Sequence, residues 1–374
     1  MIKFQDIPLI DHHGHNLLKM EVIDAMSFTA AFTQTNNPEI ITNHACHTLF
    51  YQRSLRDISV LFNCQPIAES IIQYRQELGL ELLTQKCLDR SNVEAIYLDD
   101  GFLPDEVIPT PWYEKFVVVK HILRLEYLAE RLILEEKKFD AFIDSFRQAI
   151  DPPPPEVIAF KSICSSRTGL NIQSHSKDEV KSSFYAIQQE IKEEAPRLND
   201  KPLIDFLLVQ ALEVAAKHQF PLQFSTGLGN GNTNIKQANP LDLTYVLENR
   251  KFSKVPIVLL HGGYPYTREA GYLASIYPQV YLDFGMTIPF LSVRGMELFL
   301  TQLLELSPTT KMMYSSGTSK IPELYFLAAK WSREILERVL SEAVKNQDLT
   351  SKEVDAIAIA LLHDNAQKVY LKQE

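Results

Sequence analysis

Near the amino terminus, Asp11-His12-His13-Gly14-His15 gathers three imidazoles and a carboxylate in one short stretch. Read as the end of a β-strand, where alternate side chains share a face, this run puts His13 and His15 on one side. There they could offer two imidazoles to a single cation. His12 falls on the other face, where a buried histidine with a structural hydrogen bond is the ordinary outcome. Farther along, Lys161 closes the apolar run VIAFK. A lysine buried there would have a lowered pKa and a nucleophilic amine, or else a salt bridge to Asp99, Asp100 or Glu126; residue type alone leaves both readings open. His261 stands in LLHGGYPYTREAGYL, where two glycines permit a sharp turn and close backbone approach to a ligand, with Tyr264 in the same loop. Arg124 and Arg167 could join Lys161 in a cationic surface for a carboxylate-bearing substrate, and Asp99, Asp100 and Glu126 could serve as acids or bases.

These residues must be held by regular elements. Short β-branched or apolar runs, each followed by polar residues and then a helical pattern, predict eight strands: 8–13, 93–99, 116–125, 157–161, 221–226, 256–261, 280–284 and 311–316. Strands alternating with helices imply a parallel sheet, because a parallel neighbour needs a crossover connection. Eight of them imply an α/β fold of the (β/α)8 barrel type, in which reactive residues sit at the carboxyl ends of the strands. The candidates above, with Asp283, Ser225, Ser316 and Gly317, all fall at such ends.

The helical spacing of Leu132, Phe139, Phe142, Phe146 and Ile150 predicts one barrel helix over 128–150. The stretch between the first two strands is too long for a simple crossover, so residues 25–90 are expected to form a helical insertion over the barrel mouth, with Asn37-Pro38-Glu39 as a helix start. His44 and His47 lie in it at i,i+3 spacing beside aromatic residues and are expected to pack or to face substrate. Pro152–Pro155 reads as a rigid helix-to-strand loop, and Thr350-x-x-Glu353 as a capping box opening a last helix that reaches Leu362. A single domain over 1–374 is expected.

The formal net charge of −10 over 374 residues, with no basic cluster, argues against nucleic acid as a partner. The amino terminus lacks the apolar run of a signal peptide, and nothing approaches the roughly 18 apolar residues of a membrane span. Cys46, Cys64, Cys87 and Cys164 have no CxxC spacing and read as reduced, which places the chain in the cytoplasm. A small-molecule substrate is the expected partner, and self-association into a homo-oligomer is left open.

Asp11-x-His13-x-His15, Lys161, His261 and the closing LLHDNAQKVY together resemble the amidohydrolase superfamily. FKSICSSRTGL, VYLDFG and PELYFLAAKW are similar to its branch of amidohydrolase domains fused to glutamine-synthetase-like domains. The resemblance implies hydrolysis of a C–N or related bond, metal-binding roles for His13, His15 and His261, and for Lys161 the role of the lysine carboxylated in binuclear members. It also implies a histidine ending strand five and an aspartate ending strand eight. Ser225 and Gly317 stand there instead, and Asn230 and Asn232 replace acids. Three readings follow: a hydrolase with one divalent metal, zinc by ligand chemistry; a metal-free enzyme using Lys161; or a catalytically silent binding or assembly barrel with no metal.

Overall fold

A computed structural model describes residues 2–191, 196–231 and 233–371, so Asn232 lies outside the described residues. Eight strands run in chain order through one sheet: β1 (Leu9–His15), β2 (Val93–Asp99), β3 (Val118–Arg124), β4 (Val157–Ser162), β5 (Leu222–Phe224), β6 (Ile257–Leu259), β7 (Val280–Asp283) and β8 (Met312–Met313). The registered pairs are parallel and helices fill the intervals. After β8 the chain lies along β1, with Gly317 N donating to His13 O at 3.0 Å and His15 N to Thr318 O at 2.8 Å. The fold is a (β/α)8 barrel with a helical insertion after β1.

By internal contact the chain divides into two compact units. One comprises residues up to Val119 together with Asp283–Lys368, and the other Lys120–Leu282 together with the residues from Val369. In the first, the insertion holds the helices Leu49–Phe62, Ala68–Leu78 and Leu80–Ser91. Leu80–Ser91 packs on the helix Glu323–Lys345. Arg333 of that long helix donates to Ser91 O and Ile7 O, both at 2.7 Å, tying the carbonyls ahead of β1 and β2 to one guanidinium. The front of the insertion is an aromatic stack: Phe32 meets Phe50 and Tyr51 edge-on, and Phe50 meets Phe290 and Trp331. Such edge-to-face packing matches the ring quadrupoles.

In the second unit, Phe139, Phe142, Phe146 and Ile150 are fully buried. The single helix expected over 128–150 is two, Leu125–Glu135 and Phe139–Ile150, because Glu136 and Lys138 adopt extended backbone between them. The expected helix start at Asn37 is found, its Oδ1 accepting from Glu39 N and Ile40 N, but the helix passes at once into a π-turn (Ile40–His44) and a 3-10 turn (Ala45–His47), and the long α-helix begins where Thr48 caps Tyr51 N. The capping box at Thr350 forms as expected, but the helix passes into a π-turn at Ala360–Asp364. That turn explains why β8 is so short. Past Met313, Tyr314 N donates to Leu361 O of the π-turn and Ser316 N to the Asp11 carboxylate, so these amides leave the ladder.

Candidate active site

The histidines of β1 are buried and each is anchored through one ring nitrogen. His13 Nδ1 lies 3.4 Å from Asp283 Oδ2, and His15 Nδ1 lies 3.2 Å from Asp99 O and 3.5 Å from Asp99 Oδ2. Anchoring Nδ1 fixes ring orientation and tautomer, and metal-binding histidines are held in this way. The two ring centres are 5.2 Å apart at 76°. Two imidazoles each about 2.0–2.1 Å from one tetrahedral zinc would put their ring centres at about this separation.

Strict alternation along β1 does not hold. The register with β2 shifts between Asp11 and Gly14, and His12 therefore also reaches Asp283, with Nε2 3.5 Å from Oδ1. Gly14 is required in this bulge, because a Cβ there would lie 2.8 Å from Ile96 Cγ2. Asp283, at the end of β7, further accepts from Gly285 N at 2.6 Å and Ser315 Oγ at 2.8 Å. Burial alone would raise its pKa, yet hydrogen bonds and charge from His12 and His13 outweigh that and hold the carboxyl well below the usual range. Asp11 behaves oppositely. Burial pushes its carboxyl up, although it accepts from Ser316 N, Ser316 Oγ and His13 N. Sequence reasoning placed Asp283 among the strand ends but missed that it holds the imidazoles; an aspartate closing a β-strand was the available signal.

Asp99 is fully buried and accepts from Gly101 N at 3.1 Å, whereas Asp100 is half-buried. His44 and His47 are on the π-turn and the following 3-10 turn of the insertion.

In the second unit, register sets Arg124 on β3 opposite Lys161 on β4, and Lys161 opposite Gln223 on β5. Lys161 and Arg124 are buried, so two cationic side chains occupy adjacent strands on the same side of the sheet. Glu126, also buried, accepts from Ser162 Oγ at 2.6 Å and Ile163 N at 3.0 Å, and burial raises its pKa. Arg167 is turned to a different task, pairing with Glu130 at 2.9 Å and donating to Leu198 O. His261 sits in left-handed backbone (φ 67°) followed by Gly262 and Gly263, also left-handed, and its Nδ1 lies 3.2 Å from Thr226 O. Tyr264 follows, half-buried, and Ser225 bonds through its N–H to Ser162 O. Asn230, within the loop after β5, is exposed.

The histidine pair fits one half of a metal site. Among the described residues, however, no three His, Cys, Asp or Glu side chains are gathered so as to hold a metal ion. Gly317, whose N–H bonds to His13 O, offers no side-chain donor to that pair.

Fold and anchored histidines together define a barrel of the hydrolase or isomerase type. A family model described as Amidohydrolase matches residues 192–372. A solved structure from Lactobacillus casei ATCC 334, classed as a metal-dependent hydrolase, is similar at 26% identity and a TM-score of 0.85, covering 98% of this chain and 96% of that one. The chain belongs to the amidohydrolase superfamily. A uronate isomerase from Thermotoga maritima shares the fold at 16% identity and a TM-score of 0.65, over 98% of this chain and 95% of that one. Protein fluG of Emericella nidulans is 30% identical over 98% of this chain, which spans only 46% of that relative's length. The narrower branch suggested by the motifs rests on those motifs alone.

Proposed function

We propose that the chain is a hydrolase of the amidohydrolase type, acting on a C–N or related bond of a small, polar, carboxylate-bearing substrate. The observation that carries this reading is the pair His13 and His15, buried at the end of β1 with each Nδ1 held by Asp283 or Asp99. A divalent metal, zinc by the chemistry of imidazole donors, would be held by His13 and His15, and when bound would polarise a substrate oxygen or water. The protein's own contribution is orientation: Asp283 fixes His13 and Asp99 fixes His15 before substrate arrives. His261 and Lys161 keep the roles that the resemblance implies.

Arg124 supports the carboxylate-bearing substrate class. Arg124 is buried on β3, and a guanidinium recognises a carboxylate with two parallel hydrogen bonds. Arg167 is removed from this role by Glu130.

A second reading, a metal-free enzyme, is favoured by one specific contact. Asp283 against His13 Nδ1 is the arrangement that orients a general base. The two readings separate in one experiment: hydrolysis of a panel of amides, lactones and N-acyl amino acids, with and without added zinc, by the wild type and by His13→Ala. Turnover that needs metal and disappears in His13→Ala supports the proposal. Turnover indifferent to metal and chelator but still lost in His13→Ala moves the assignment to the metal-free reading, and no turnover across the panel argues for a silent binding barrel.

A further inference from the structure

Gly317, the first residue past Ser316 at the carboxyl end of β8, has φ +61° and its N–H bonds to His13 O at 3.0 Å. That bond ties the backbone at 317 to the strand that carries the histidine pair. A Cβ built on Gly317 lies 2.6 Å from Met286 Cγ, 3.1 Å from Met286 Cα, and closer still to Met286 Cβ. Two of these atoms are backbone or the first side-chain carbon, so the clash cannot be relieved by swinging the tip of a flexible chain.

Met286 itself sits in a strained conformation, φ 32° and ψ −49°, with its side chain buried at 8% exposure. A non-glycine residue stays in such backbone only where its surroundings over-determine it. The loop is pinned on both sides. Gly285 N is held by Asp283, and a Cβ on Gly285 would collide with Ser315. The space beside Met286, lined by Phe50, Phe290, Ser316 and Lys320, is a cavity of only about 20 Å³, room for about one water. A void of that size does not accommodate a displaced Met286 side chain.

We infer that Met286 closes the strand-eight corner beside His13 to any side chain at position 317. The low ligand number of the site is then a packed feature of the loop after β7 and is not curable by a single substitution at Gly317. The consequence for metal binding rests on the proposed role of His13 and His15, whereas the closure itself does not.

A double-mutant cycle on thermal unfolding tests the closure with Gly317→Ala, Met286→Gly and the pair, since only glycine at 286 removes the Cβ that the new side chain would meet first. The left-handed backbone penalises alanine equally in both backgrounds, so the cycle isolates the contact with Met286. Gly317→Ala alone is expected to lower Tm by about 5 °C or more, and by clearly less when Met286 is already glycine. Equal losses in the two backgrounds would overturn the closure.

Zinc affinity, measured by equilibrium dialysis, tests the consequence. Gly317→Asp alone should bind zinc no tighter than the wild type. Met286→Gly/Gly317→Asp should bind at least about tenfold tighter than Met286→Gly, since a direct carboxylate ligand should matter no less than an outer-shell partner. That gain should vanish when His13→Ala is added. A tenfold gain from Gly317→Asp alone would overturn the inference. A coupled Tm cycle with no zinc gain in the double variant would uphold the closure and count against the histidine pair as a metal site.

Discussion

Asp283 carries more of the site than its position suggests, because one carboxylate contacts both His12 and His13 and accepts from Gly285 N and Ser315 Oγ. Asp283→Asn keeps the size but removes the charge that fixes the imidazoles. It is expected to lower kcat/KM at least about tenfold on whichever substrate the wild type turns over, with the fold intact by circular dichroism. Retained kcat/KM would mean that His13 is held by packing alone. Lys320 allows a test of burial. Its Nζ donates to Ala30 O at 2.7 Å and Thr33 O at 3.0 Å, and desolvation lowers its pKa from 10.5 to about 8. Between those values the unfolded chain holds a proton that the folded chain has released. Stability from this group therefore rises with pH across that window, and the penalty is fully present below pH 8. Urea unfolding at pH 7.5 and pH 10 should show a gain for the wild type over Lys320→Met of about 1–3 kcal/mol. An identical pH difference in the two proteins would show that Lys320 titrates as an exposed lysine. At this scale the sequence was partly readable. His13, His15 and His261 announced themselves by type and strand-end position. That Glu130 takes Arg167, or that Met286 fills the corner at Gly317, depends on contacts between distant segments and leaves no local pattern.

Among the elements, regular periodicity was legible and irregular backbone was not. The strand runs stood out because each is short, apolar and bounded by turn residues, and β2 was read from Val93 to Asp99 as it is found. The break at residues 136–138 was missed because the apolar spacing on its two sides is nearly in phase. The π-turns at Ile40–His44 and Ala360–Asp364 change the hydrogen-bond ladder without changing composition, so no propensity marks them. The aromatic seam is the element-level weak point. Phe50 joins the insertion to Phe290 and Trp331, and Phe50→Ala should destabilise by about 3–5 kcal/mol. Limited proteolysis would then be expected to cut first within residues 25–90. Cleavage spread evenly over the chain would show that the insertion does not open as a separate piece. At the far end, Thr350→Ala removes the capping box and should cost about 1 kcal/mol, read as a small drop in the urea midpoint.

For the molecule as a whole, barrel order β1 to β8 is what makes strand ends the place to look, and the superfamily match makes hydrolysis the first chemistry to try. Fold alone does not select the reaction, since a uronate isomerase shares the same architecture at 16% identity. This chain sets a well-anchored histidine pair beside Gly317, where the resemblance implies an aspartate. The direct test is metal content by elemental analysis of protein purified without chelator, before and after incubation with zinc, manganese or iron, for the wild type and His13→Ala. The account predicts about one divalent metal per wild-type chain and none in the variant. Metal absent under every condition, or bound equally by His13→Ala, would contradict it.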